Sequence, residues 1–233
     1  MLKAELHIHT NADPEDKSFV SYSAYELIDQ AEKLNFNVLA ITCHNYVYND
    51  SEAVEYAKKK GILLISGAEL TIEGKHVLVY NITNGQAGKI KSLSDLKKFK
   101  ENHPEIFIIA PHPFHYKSIC LMNKVVQHLD LFDAWEYSFF YLNILNPNKR
   151  TLKLAKKYNK PMVGGSDVHK LKDFGRTYTL IDSSLNIEDV FKAIKLGETK
   201  IVTKPLSYFE FVKILFGFVI FGLFKKIKIF FNK

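Results

Sequence analysis

Two hydrophobic periods take turns along this chain. Ala4-Glu5-Leu6-His7-Ile8-His9-Thr10 alternates residue by residue, so Leu6 and Ile8 share one face of a strand and His7 and His9 the other. From Ala24 to Leu34 the period changes: Leu27, Ile28, Ala31 and Leu34 fall at helical spacing, and Asn35 follows as a stop. Val38 to Thr42 is a continuous apolar run, the pattern of a strand buried on both faces, and it ends in Cys43-His44-Asn45. A helix over 51–60 stops at Gly61, and Ile62 to Ile65 leads through Ser66-Gly67-Ala68 to Glu69. His76 to Tyr80 returns after a Glu73-Gly74 turn as a hairpin-like excursion.

The alternation continues. A lysine-rich surface helix over 94–102 precedes the strand Ile106 to Ala110, which runs into Pro111-His112-Pro113, where the flanking prolines fix the backbone around His112. Leu131 to Tyr137 offers a strand with Glu136 near its end, and Pro147 opens a helix over 148–158. Pro161 to Gly165 is a short strand that opens into Ser166-Asp167-Val168-His169. Gly175-Arg176 precedes a strand over 177–181, and a helix over 187–196 and a strand over 200–203 complete the series. Such alternation gives either an α/β barrel or an open doubly wound sheet. In an open sheet the site lies at a switch point between a few strands, whereas here nearly every strand ends in a ligand-type residue, which selects the barrel.

Composition narrows the setting. The chain has 233 residues, 47% of them hydrophobic, which suits one globular domain. Cys43 and Cys120 stand in no metal or redox spacing, and no signal peptide precedes the first strand, so the expected location is the cytoplasm. The net charge of +7 favours anionic partners such as phosphates, nucleic acid or acidic lipid.

His7-Ile8-His9, Thr42-Cys43-His44, Gly67-Ala68-Glu69, Pro111-His112-Pro113 and Gly165-Ser166-Asp167-Val168-His169, in that order, resemble the polymerase and histidinol phosphatase (PHP) family. The resemblance spans about residues 3 to 204. It implies a distorted (β/α)7, TIM-like barrel over residues 1–204 with a trinuclear metal site; composition alone adds a hydrophobic, lysine-rich helix over 205–233. By similarity, His7, His9, Glu69 and Asp167 hold one metal, Glu69 bridges to a second held also by His76 and His112, and Asp13, His44 and His169 take a third. Asp16 competes with Asp13 for that role, Glu136 is a reserve ligand, and Cys43 stands where the family commonly has aspartate. His115 is placed at the pocket rim, and His103 and His128 on the surface.

The implied activity is that of a phosphoesterase. Two or three zinc, manganese or iron ions would lower the pKa of a bridging water to about 7 from about 15.7, so that hydroxide attacks phosphorus in line. Arg176 and the third metal would hold the phosphate, while Asp167 or His169 moves the proton. The substrate class is a phosphorylated small molecule or nucleotide; the alternatives are a 3′–5′ exonuclease and a degenerate, noncatalytic module.

The run from Ile214 to Phe224 is apolar all round and is followed by Lys225, Lys226, Lys228 and Lys233. Eleven residues of helix reach about 16 Å, short of a bilayer core of roughly 30 Å. The expectation is therefore a helix lying on the inner face of the membrane, or packed on the barrel or on a second subunit.

Overall fold

The computed structural model describes residues 1–115 and 118–217. Among the described residues nine strands form a single sheet: β1 (Leu2–Ile8), β2 (Val38–Ile41), β3 (Leu63–Ile72), β4 (Lys75–Tyr80), β5 (Phe107–Ala110), β6 (Ala134–Ser138), β7 (Met162–Gly165), β8 (Thr177–Ile181) and β9 (Thr199–Thr203). Their spatial order is β7-β6-β5-β4-β3-β2-β1-β8-β9. The intervening helices are α1 (Ala24–Lys33), α2 (Ser51–Lys59), α3 (Asn84–Ala87), α4 (Leu93–Asn102), α5 (Lys124–Gln127), α6 (Asn148–Lys157) and α7 (Ile187–Leu196). Local chemistry fixes several helix starts. Ser23 and Glu26 form a capping box on α1, Asp50 accepts from two first-turn amides of α2, and Asn186 caps α7, which ends at the left-handed Gly197.

The sheet curls into a nearly closed, distorted barrel. Its seam lies where β7 meets β8 and β9. Gly164 N–H donates to Thr179 Oγ1 (2.8 Å), Thr199 Oγ1 donates to the Met162 carbonyl (3.0 Å) and Ser166 Oγ to the Thr177 carbonyl (2.6 Å). Such close approach requires Gly164, because a β-carbon there would stand 2.8 Å from the Tyr178 carbonyl oxygen. Beyond the seam, His9 N–H donates to the Val168 carbonyl (3.1 Å) and Val168 N–H to the His7 carbonyl (3.3 Å), which draws the loop after β7 onto the end of β1.

The barrel departs from seven regular β/α units in two places. The excursion after Glu69 is a full strand inside the sheet: β4 pairs antiparallel with both β3 and β5, since a tight turn at Glu73-Gly74 leaves no room for a crossover helix. At the other side β8 runs antiparallel to β1, and β9 antiparallel to β8. The remaining pairs, β1-β2, β2-β3, β5-β6 and β6-β7, are parallel. One apolar cluster, with Leu6, Val38, Ile65, Tyr80, Phe107 and Ile109, joins the strands to α7.

After β9 the chain packs against the loop that follows β6. Leu206 N–H donates to the Tyr141 carbonyl (3.0 Å), and residues 208–217 form a further helix, α8, opened by a Ser207–Glu210 capping pair. Phe211 of α8 stacks on Phe140 at 4.6 Å. The expected apolar run over 214–224 thus begins in α8, and its part beyond Gly217 lies outside the described residues. Among the described residues no helix is long and apolar enough to cross a membrane.

Candidate metal centre

β1 delivers two imidazoles to one point because strand alternation puts both side chains on the inner face. His7 and His9 are fully buried, and each is held from behind by a carboxylate. His7 Nδ1 donates to Glu136 Oε1 (2.9 Å) and His9 Nδ1 to Asp13 Oδ2 (2.8 Å). Those bonds fix the rings so that both Nε2 atoms face forward, buried and without a hydrogen bond. In front of them stand Glu69 Oε2, at 3.3 and 3.4 Å, and Asp167 Oδ1, at 3.5 and 3.3 Å. Two orphaned imidazole nitrogens facing two carboxylate oxygens are a donor set that suits a divalent cation, and the hydrogen-bonded Nδ1 atoms fix the tautomer such a set needs.

Glu69, near the middle of β3, spreads its two oxygens between neighbours. Oε2 also meets His44 Nε2 (3.2 Å), whereas Oε1 accepts from His76 Nδ1 (2.7 Å) and lies 3.4 Å from His112 Nε2. The sets His7-His9-Glu69-Asp167, His9-Asp13-His44 and His44-Glu69-His76 each gather ligand atoms within 4.8 Å of one another. Two residues of the site, His112 and Asp167, adopt left-handed conformations, with φ of 30° and 44°. Glu136 Oε2 accepts from His112 N–H (2.7 Å), and Cys120 Sγ lies 3.5 Å from His112 Nδ1, so both groups pin the strained histidine.

The electrostatics follow from burial working against pairing. Burial alone would lower the His7 pKa, but the Glu136, Glu69 and Asp167 carboxylates outweigh it and push it up to about 10. His9 is raised in the same way, chiefly by Asp13. Burial would raise Glu69 and Asp167, yet the surrounding imidazoles hold both well below the usual carboxylate range.

The two acidic residues of the first loop divide the work. Asp13 is fully buried, and its Oδ2 accepts from His9 Nδ1, His44 N–H (2.8 Å) and His44 Nδ1 (2.9 Å). Asp16 Oδ2 lies nearer the opening, 2.9 Å from His169 Nε2 and 3.7 Å from His44 Nδ1. Glu136, the reserve ligand, instead stands behind His7, in space that exists because residue 165 is glycine. No carboxylate comes from Cys43, whose buried thiol lies 3.7 Å from Thr10 Oγ1 and is raised by burial.

The other expected residues are placed as follows. Arg176 pairs with Glu210 of α8 and donates to the Pro205 carbonyl (3.4 Å), so its described partners belong to the C-terminal segment. His115 is buried beside His112, ring centres 6.4 Å apart, and donates from Nε2 to the Phe140 carbonyl. His103 pairs with Glu105 at the end of α4, and His128 ends α5. Sequence reasoning passed over Glu5, although the alternation that pairs His7 with His9 puts it on the same face. It is fully buried, Oε1 accepts from Ser166 N–H (3.0 Å), and burial raises its pKa to about 8.

A family model described as the PHP domain matches residues 5–160, and one described as PHP-associated matches residues 146–199. DNA polymerase III PolC-type of Lactococcus lactis is 36% identical over 83 residues, a match that spans 35% of this chain but only 5% of that protein. PsfC from Pseudomonas syringae is a similar fold, with a TM-score of 0.65 at 15% identity over 96% of this chain and 98% of that one. A proposed metal-dependent phosphoesterase from Bifidobacterium adolescentis gives 0.55 at 16% identity, over 72% and 87% of the two chains. An amidohydrolase from Chromobacterium violaceum, with bound sulfate and no metal, gives 0.51 at 15% identity over 87% and 92%.

Proposed function

The chain belongs to the PHP domain family, and on that premise we propose that it is a hydrolase of phosphate esters, working with divalent cations held at the barrel mouth. The observation that carries this reading is the pair of forward-facing His7 and His9 Nε2 atoms opposite Glu69 and Asp167. Divalent cations bound there would activate water at neutral pH and neutralise charge on a phosphoryl oxygen. Zinc, manganese and iron all suit the mixed imidazole and carboxylate shell, and the overlapping donor sets give room for two or three ions.

The chain's own residues supply the rest. His7, His9, Glu69 and Asp167 bind, and Glu136 and Asp13 orient the two strand imidazoles. His76 and His112 serve the far oxygen of Glu69, and Asp16, His44 and His169 line the opening. Asp167 or His169, which both line the cleft beside the site, would take the proton of the attacking water. Arg176 is assigned to fixing the C-terminal segment through Glu210. With this set in place, the degenerate module is disfavoured.

The likeness to a PolC-type polymerase segment favours a second reading, a nuclease acting on single strands. Protein stripped of metal and reloaded separates the two. Hydrolysis of nucleoside and sugar monophosphates, lost in chelator and restored by metal, is the expected result; faster release of nucleotides from short single-stranded DNA would favour the nuclease. Unimpaired hydrolysis in chelator would contradict both.

The exposed residues Tyr208, Phe209, Val212, Leu215 and Phe216 make a stripe along α8. In our reading this stripe meets an anionic lipid surface on the cytoplasmic side. Its support is the sequence that follows, apolar to Phe224 and then rich in lysine.

A further inference from the structure

A narrow cleft, about 40 Å³ in volume and partly open to solvent, lies beside the candidate metal centre. Its lining brings the charged or polar Asp167, His169, Lys170 and Asp173 together with the apolar Phe19, Phe139 and Ile214. The last of these comes from α8. Residues beyond 199 lie outside both family models that match this chain, so this wall is supplied by a segment that the family pattern does not carry.

The wall is held in place by several independent contacts. The Arg176–Glu210 ion pair ties α8 to the start of β8, Phe211 stacks on Phe140, and Leu206, itself buried, is bonded to Tyr141. These contacts turn one face of α8 inward at Ile214, while Leu215 points outward and is 47% exposed. Lys170, another lining residue, places its ammonium 5.2 Å from the Phe19 ring centre. A ligand lying along this open cleft would meet charged groups beside the metal centre and an apolar wall.

We propose that α8 completes the substrate pocket, and that Ile214 with Phe19 and Phe139 makes it selective for phosphomonoesters whose alcohol is an apolar aryl or alkyl group. The phosphate sits toward Asp167, His169 and Lys170, and the leaving group lies along the aromatic wall. This inference rests on the phosphoesterase reading. It adds a specificity-determining residue from a segment outside the family match.

The test uses the full chain loaded with manganese or zinc, with phenyl phosphate and glycerol 3-phosphate as paired substrates and phenylphosphonate as a nonhydrolysable probe followed by calorimetry. Two variants on adjacent positions of α8 are compared, Ile214→Ser facing the cleft and Leu215→Ser facing away. The expected result is that Ile214→Ser raises KM for phenyl phosphate by about ten-fold and weakens phenylphosphonate binding by a similar factor. KM for glycerol 3-phosphate should stay within about two-fold, and Leu215→Ser should change neither substrate. Equal effects of the two variants, or equal effects on the two substrates, would overturn the proposal. If neither ester is hydrolysed by the metal-loaded wild type, the phosphoesterase reading fails on its own. Phenylphosphonate binding then still decides the wall: weakening by Ile214→Ser alone supports it, and indifference to both variants refutes it.

Discussion

Glu136 Oε1 stands 2.9 Å from His7 Nδ1, and it does so in space that a side chain at residue 165 would fill, since a β-carbon on Gly165 would lie 1.9 Å from that oxygen. One glycine thus permits the carboxylate that sets the tautomer and aim of a fully buried histidine. Glu136→Gln keeps the volume but removes the charge, and should lower metal affinity about 10- to 100-fold. Gly165→Ala should destabilise the protein by about 1–3 kcal/mol and disturb His7 as well. Calorimetric metal titration and thermal unfolding of both variants check the pair.

Asp13 and Asp16 are three residues apart yet face different atoms, Asp13 the Nδ1 side of His9 and Asp16 the Nε2 atom of His169. Asp16→Ala should therefore remove one ion from the opening and leave the His7-His9 set loaded. Asp13→Ala should weaken the His9 set itself and lower stability, because His9 and the His44 amide lose a buried acceptor. Metal stoichiometry by elemental analysis distinguishes the two; identical loss of metal in both variants would reject the division of roles.

Glu5 contributes a pH dependence of known sign. Burial raises its pKa from 4.5 to about 8 in the folded protein, so the folded state holds a proton that the unfolded state releases. Stability from this group is complete below pH 4.5 and is lost as pH rises through about 8. Glu5→Gln cannot ionise, so it should gain on the wild type between pH 5 and 8.5 by roughly 1–4 kcal/mol. Urea unfolding of both proteins at the two pH values measures the gain, and parallel pH profiles would show that Glu5 does not carry the effect.

The outward stripe of α8 offers a test independent of chemistry. Phe209 and Phe216 are 85% and 64% exposed. Replacing both with Glu should abolish flotation with anionic liposomes while leaving phosphate ester hydrolysis in detergent-free buffer unchanged. Flotation that persists in the double variant would remove the stripe from the membrane account, and a change in oligomeric state would assign it to a second copy of the chain.

The sequence made the strand ends legible because each buried run is short and stops at a residue with no place in a core. His7, His9, His44, Glu69, His112 and Asp167 could be picked out on that ground, and the structure brings them together. What escaped was which atom each residue presents. Glu136 and Asp13 are legible as carboxylates close to the site, but the hydrogen bonds they accept from His7 and His9 depend on long-range packing such as the gap at Gly165, and Asp13 also stands in a set with His9 and His44. The antiparallel pairing of β8 with β1 was likewise invisible, since a strand buried on both faces shows the same apolar run in either direction. The pairing of Arg176 with Glu210 could not be read from the sequence, because it depends on where a segment more than thirty residues later returns.

If His7, His9, Glu69 and Asp167 hold catalytic divalent ions, as we propose, bound metal and activity rise and fall together. The most direct test is to measure bound metal and phosphate ester hydrolysis together, in the wild type and in His7→Ala/His9→Ala, before and after chelation. The account predicts two or three ions per wild-type chain, loss of activity with their removal and recovery on reloading, and neither full metal content nor activity in the double variant. Undiminished hydrolysis by wild-type protein shown to be metal-free would contradict it.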